Sequence, residues 1–262
     1  MKNLILTAVG DNSLHKNWIE ADNNFDLFLI YYGNEEDKFK ADATYYVSRK
    51  GNKYLMFYDT IEQNKDIFEK YDNILIMDDD LYTETNHLND FFKIFSENNF
   101  LLAQPSLLGY YTHEITLHDP KWIWRCTNFV EIMCPCFTKE TLFKFKETFI
   151  ENQIGWGIDW LWPKLLGYPK NKIAIIDDCI VLHTRPVTSG DFYKNNNISN
   201  GLETLHETIK KYNLSTKAEC YYENSRWKNI NCLESKDRFY PNLNCFKNYI
   251  DIIRKPKRIP FI

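Results

Sequence analysis

The 262-residue sequence has no stretch of 18 apolar residues, so no segment is long enough to cross a bilayer as a helix. It also lacks any Cys-x-x-Cys pair. Its seven cysteines are scattered at positions 126, 134, 136, 179, 220, 232 and 245. An odd count without paired spacing argues against both a disulfide framework and a zinc site, and predicts free thiols in a cytoplasmic protein. Cys134-Pro135-Cys136 would put two thiols on one face of a strand, where buried free thiols are the simplest reading. The opening apolar run, Leu4 to Val9, is too short for a signal peptide and leads directly into a turn at Gly10-Asp11-Asn12. Excess positive charge is missing as well. A net charge of −4 speaks against a dedicated nucleic-acid binder, although a divalent cation would let an acidic protein hold nucleotide phosphates.

What is present is apolar and aromatic. Hydrophobic residues make up 44% of the chain, which supports a packed core and excludes wholesale disorder. Aromatics reach 16%, with 17 Tyr and 7 Trp. Many of these must fill the core, while a surplus suits a site that stacks on bases or sugar rings. The length fits one large α/β domain, alone or with a small appendage.

Short apolar runs at Leu4 to Val9, Asp26 to Tyr32, Tyr45 to Val47, Asn73 to Met77 and Phe100 to Gln104 read as strands. Helical patterns cover Asn52 to Lys70 and His87 to Glu97, the latter with Leu88, Phe91, Phe92, Ile94 and Phe95 at helical spacing. This alternation predicts a mainly parallel sheet covered by helices on both faces. Further along, Ser106 to Arg125 reads as irregular, Asn128 to Phe137 as a strand and Lys139 to Glu151 as one amphipathic helix. Two apolar runs, Lys172 to Ile176 and Ile180 to Leu182, flank Asp177-Asp178. After Pro186 the composition turns polar and Asn-rich, and no internal repeat is visible.

Three segments carry chemistry. Ile74-Leu75-Ile76-Met77 delivers Asp78-Asp79-Asp80 at the end of a buried strand, where open α/β sheets bind ligands. Three adjacent carboxylates repel one another unless a counter-charge is supplied. A hard divalent cation with phosphate co-ligands fits that demand, against the plainer reading of a solvated acidic turn. In an extended segment Asp78 and Asp80 point to one side and can address one cation. Gly155-Trp156-Gly157-Ile158-Asp159-Trp160 brings backbone close to a ligand beside indole walls. Asp159 is an ordinary helix-capping aspartate or, with apolar rings raising its pKa, a general base. Finally His183, after the Ile180 to Leu182 run, is a structural histidine or a neutral metal ligand.

Their order along the chain resembles the DUF707 family of glycosyltransferases and, more distantly, the GT-A class of nucleotide-sugar transferases. The matching stretches are Ala8-Val9-Gly10, Lys53-Tyr54, Tyr71-Asp72, Asp78-Asp79-Asp80-Leu81, Gln104-Pro105, His113-Glu114-Ile115-Thr116, Cys126-Thr127, Val130-Glu131, Trp156-Gly157-Ile158-Asp159 and His183. The resemblance implies a GT-A, Rossmann-like catalytic domain over residues 1–200 and a helical or irregular extension over 201–262. It implies a nucleotide site around Val9 and Gly10, with Lys53 and Asp79 nearby, and Mn²⁺ or Mg²⁺ at Asp78, Asp80 and His183. It implies Asp159 as the base of an inverting transfer. GT-A enzymes often carry Glu-Asp where this chain has Ile158-Asp159, so Glu131 is the other candidate. Trp156, Trp160 and His113 are candidates for sugar contact.

The activity so implied is transfer of a hexose from a UDP-sugar to a glycan or lipid-linked acceptor in bacterial capsule or lipopolysaccharide synthesis. Rival readings are a haloacid-dehalogenase-like phosphatase, which expects Thr or Val where this chain has Tyr82, and a non-catalytic sugar-binding protein of the same fold. The last 17 residues carry Lys247, Arg254, Lys255, Lys257 and Arg258 against Asp251. Basic residues mixed with apolar ones suit peripheral contact with anionic lipid at the inner face of the plasma membrane, or a solvated tail.

Overall fold

The structure, a computed structural model, describes residues 1–20, 22–186, 201–228 and the backbone of 257–258. Strand β1 (Asn3–Val9) is buried along its whole length and lies parallel between β2 (Phe25–Tyr31) and β4 (Asn73–Asp78); β3 (Tyr45–Ser48) pairs with the outer side of β2. This four-stranded half is parallel throughout. A second parallel pair is formed by β6 (Leu102–Tyr111) and β9 (Ile173–His183). Between the halves sits β8 (Cys136–Thr138), antiparallel to both β4 and β6. On the far edge β7 (Trp122–Cys126) runs antiparallel to β9 and carries the two-residue β10 (Arg226–Trp227). The order is β10-β7-β9-β6-β8-β4-β1-β2-β3. A short β5 (Leu81–Tyr82) adds to β9, and β11 (Lys257–Arg258) pairs with the end of β6 at Tyr110 and Tyr111.

Alternation along β1 divides the core. Ile5 and Val9 face one side with Leu27, Leu29 and the Phe91, Phe92 and Phe95 stripe of α3 (Thr85–Glu97). Leu4 and Leu6 face the other, with Phe28, Ile30 and residues of α1 (Lys53–Gln63), α2 (Lys65–Phe68), α4 (Lys139–Phe145), α5 (Glu147–Glu151) and α6 (Ile158–Leu165). Both faces are therefore covered, as the near-continuous apolar strands require. A third cluster joins Phe129, Trp156, Trp160 and Leu161 to Leu205 of α7 (Leu202–Tyr212).

Several boundaries differ from the sequence reading. Asn64 divides the 52–70 helix by donating its amide to the Thr60 carbonyl at 2.9 Å, and the 139–151 helix breaks at Lys146. Most of 128–137 is irregular because Pro135 offers no N–H to a ladder. The segment still lies along β4, where the Ile76 and Asp78 amides each donate at 2.9 Å to Pro135 and Met133 carbonyls. Residues 106–111 and 122–126 are strands rather than irregular chain. The runs on either side of Asp177-Asp178 belong to one strand with a bulge. Pro105 pairs with Ile176 but Ser106 pairs with Ile180.

Cys126, Cys134, Cys136 and Cys179 are buried free thiols. No helix among the described residues is long and apolar enough to cross a membrane. Cys232, Cys245 and the basic tail lie outside the described residues, except for the backbone of 257–258.

Candidate functional site

The C-terminal ends of β1, β4 and β9 meet at one corner. Asp78 is the last residue of β4, and the chain turns through Asp79 and Asp80 into β5, whose Leu81 pairs with His183 at the end of β9. The three acids have separate partners. Lys53, the first residue of α1, contacts Asp78 Oδ1. Asp79 Oδ2 accepts from the Gly10 amide at 2.8 Å and from the Tyr32 hydroxyl at 3.4 Å. Asp80 Oδ2 stands 3.6 Å from His183 Nε2.

A β-carbon at Gly10 would come 2.8 Å from the Tyr32 hydroxyl, so the tyrosine ring would have to shift. The side chain of Val9 lies in the core, and its carbonyl accepts from the Tyr32 amide at 3.0 Å. Val9 and Gly10 therefore contribute backbone to the corner. Arg185, unnoticed in the sequence, donates to the Asn12 carbonyl at 2.6 Å, and its charge bears on Asp79 and Asp80.

Charge at the corner is divided unevenly. Burial and the neighbouring Asp80 push Asp79 up to about 7. Burial also raises Asp78, against the pull of Lys53. For Asp80, burial is outweighed by the His183 imidazole, which leaves the carboxyl below its ordinary value. His183 is correspondingly raised by Asp80 against its own burial.

A divalent cation can be tested against these donors. The Tyr110 carbonyl can only accept, so His183 Nδ1, 3.0 Å away, must be the donor. In the neutral ring Nε2 then carries the lone pair, and it faces the Asp80 carboxylate. A backbone-oriented imidazole beside carboxylate oxygens is the arrangement that metal-binding histidines use, and the set fits a hard divalent ion. The structure brings Asp80 and His183 together, while Asp78 contacts Lys53. Among the described residues no three His, Cys, Asp or Glu side chains form a ready cluster.

Beyond the corner lies a second acidic pair. Glu131 is fixed by its amide, which donates to Gln104 Oε1 at 2.6 Å. Its Oε1 accepts from the Thr112 hydroxyl, and its Oε2 is buried without a hydrogen-bond partner among the described residues. Burial pushes its carboxyl up to about 7. Asp159, in the first turn of α6, accepts from the Trp160 amide at 3.0 Å; burial and then the charge of Glu131 push it up to about 8. Two buried carboxyls held in this range are suited to taking a proton near neutral pH.

The loop that carries Asp159 is held by positive φ angles at Gly155 (94°) and Gly157 (98°) and by Asn152, whose amide donates to the Trp156 carbonyl at 2.6 Å. Trp156 and Trp160 are only 8% and 6% exposed, so their faces are largely packed rather than open. Trp160 lies against Phe129 and His113, with ring centroids 4.3 and 5.4 Å away.

Comparisons with known proteins agree with this architecture. Residues 118–232 match the family described as Protein of unknown function (DUF707). No curated protein matches in sequence. Among solved structures, the chain is similar to GalNAc-T7 in complex with UDP, GalNAc and Mn²⁺, with a TM-score of 0.52 at 9% identity over 82% of this chain. It is also similar to TarS of S. aureus, with a TM-score of 0.48 at 13% identity over 83% of this chain. The chain spans 55% of the first of these structures and 41% of the second. The match to DUF707 thus covers residues 118–232, and the fold is the α/β fold of the GalNAc-T7 structure.

Proposed function

We propose that this protein is a metal-dependent glycosyltransferase that moves a hexose from a UDP-sugar to a glycan or lipid-linked acceptor. The observation that carries this reading is the convergence of Asp80 and His183, 103 residues apart in sequence, at the mouth of a GT-A-like sheet, with Glu131 and Asp159 buried beyond them. In the described residues the corner combines carboxylate, imidazole and lysine, which suits a cation-bridged diphosphate better than a bare anion.

Asp78, Asp80 and His183 would hold Mn²⁺ or Mg²⁺, which when bound supplies positive charge against the diphosphate leaving group. Lys53 exchanges its contact with Asp78 for phosphate oxygens. Asp79 fixes the Gly10 turn against which the nucleotide lies. Asp159 accepts the proton of the acceptor hydroxyl as the new glycosidic bond forms and the bond to the diphosphate breaks, and burial, with the charge of Glu131, holds that carboxyl up at about 8. His113 and the exposed edges of Trp156 and Trp160 line the sugar side. A base opposite the leaving group would invert the anomeric configuration. Bacterial capsule or lipopolysaccharide assembly at the cytoplasmic membrane face is the setting that a small transferase with a basic tail suits.

The test is a thermal-shift panel of nucleotides and nucleotide sugars with and without Mn²⁺. Stabilisation grows with ligand concentration over Kd, so even a modest binder registers. UDP and a UDP-sugar should stabilise the protein only with the cation. A panel without any cation-dependent shift defeats the reading.

A further inference from the structure

Thr112, near the start of the loop after β6, has one hydroxyl proton and two partners. Its Oγ1 contacts Glu131 Oε1 on one side and lies 2.8 Å from His113 Nδ1 on the other. One proton cannot be donated both ways, so the states of the two partners are linked. When Glu131 is ionised, Thr112 donates to it and His113 Nδ1 must carry a proton. When Glu131 is protonated, it donates to Thr112, and Thr112 donates to an unprotonated Nδ1. Glu131 is 3% exposed, whereas His113 is half-buried.

We infer that Thr112 is a positioning residue that couples Glu131 to His113 and passes a proton from the buried carboxyl to the outer ring. The step balances. The O–H bond at Glu131 Oε1 breaks as that proton joins Thr112 Oγ1, and the original Thr112 proton moves to His113 Nδ1. A carboxylic acid and a neutral imidazole become a carboxylate and an imidazolium, with the threonine unchanged. Hydrogen bonds in such a short chain polarise and strengthen one another in a low-dielectric interior.

The geometry favours a relay over a chance contact. The Glu131 backbone is tied to Gln104 Oε1 at 2.6 Å, and its side chain is enclosed at 3% exposure. His113 is held against Phe129, with centroids 4.4 Å apart, and against Trp160. The Thr116 hydroxyl ties the loop back by donating to the His113 carbonyl at 2.7 Å. The other groups facing Glu131 are Asp159 from α6, Asp78 from β4, His183 from β9, the Cys134 thiol and the Thr116 hydroxyl. The use of the relay in catalysis rests on the reading of Asp159 and Glu131 as the proton-accepting pair, since it would return that pair to its ionised form after each turnover.

The coupling itself is read without donor or acceptor, by NMR titration of the labelled Glu131 carboxyl and the His113 ring in the full chain. In the wild type, one shared step should appear at both sites. Thr112→Ser keeps the hydroxyl and should keep that step. Thr112→Val keeps the shape but removes the bond; the Glu131 titration should then rise by about one unit or more, as loss of a hydrogen bond to a charged group implies, and the His113 curve should lose the shared step. Independent curves in the wild type, or identical curves in Thr112→Val, would overturn the relay. A shared step in a protein that binds no nucleotide would leave the relay standing and remove the transferase reading.

Discussion

His183 Nε2 lies 3.6 Å from Asp80 Oδ2, while the Nδ1 of the same ring is held 3.0 Å from the Tyr110 carbonyl. Strand β6 thus aims an imidazole of β9 at a carboxylate that follows β4. The ring has little freedom to turn, and its outward nitrogen faces the one acid of the triple whose pKa is lowered.

From that relationship comes a binding prediction. Wild-type protein with UDP at about 100 times its Kd should gain about 2.7 kcal/mol when Mn²⁺ is supplied. Asp80→Asn and His183→Ala should each lose the Mn²⁺-dependent part of the thermal shift. Retention of the full shift in both variants would place the cation elsewhere.

Asp159→Asn should lower sugar transfer by about 10²–10⁴ while leaving UDP affinity unchanged, because removal of a positioned base affects the reaction rather than donor binding. Single-turnover transfer alongside calorimetric UDP titration separates the two effects. Transfer equal to that of wild type would remove Asp159 from the mechanism.

Stability should fall as pH rises. In the folded chain burial holds Glu131 and Asp159 up to about 7 and about 8, against ordinary values of about 4. Between those limits the folded state binds more protons than the unfolded one, and stability then declines with pH. The stabilising contribution is complete below about pH 4 and is lost through pH 7 to 8. Urea midpoints of ligand-free protein should therefore drop between pH 5 and 8, and Glu131→Gln or Asp159→Asn should flatten the slope. A wild-type midpoint that rises across this range would contradict the burial of these groups.

The loop carrying Asp159 has its own vulnerability. Gly155 sits at φ 94°, and a β-carbon there would lie 2.3 Å from the Tyr54 ring. Tyr54 in turn donates to the Ile132 carbonyl at 3.0 Å, next to Glu131. Gly155→Ala should cost more than about 1 kcal/mol in urea unfolding and should disturb both carboxyls. Gly167 has a positive φ but open space around it, so Gly167→Ala controls for backbone strain alone.

Much of the frame was legible because β1, β2 and β4 are uninterrupted apolar runs that end in turn residues, and parallel buried strands leave that mark. The acidic corner was legible for the same reason: Asp78 to Asp80 break a wholly buried strand. What escaped were features that depend on neighbours distant in sequence. Residues 128–137 look like a strand by composition, yet Pro135 and the neighbouring β4 leave only Cys136–Thr138 in the ladder. Thr112 gives no signal in an aromatic stretch, and only folding sets it between Glu131 and His113. Arg185 stands two residues beyond His183 and could have been read as a cation near the acids. The indoles of Trp156 and Trp160 suggested open walls; contact with Phe129 and α7 packs most of their surface.

The bulge in β9 sets which way the end of that strand faces. Opposite the consecutive residues Pro105 and Ser106 of β6, β9 places Ile176 and Ile180, with Asp177, Asp178 and Cys179 between them. Pro105 and Ser106 point to opposite sides of the sheet, so their partners Ile176 and Ile180 do too, whereas residues four apart in an unbroken strand share a side. The bulge thereby exchanges the two faces of β9 beyond it, and His183 takes its side of the sheet from that exchange. A kink remote from the acids thus decides which face of the strand the imidazole occupies.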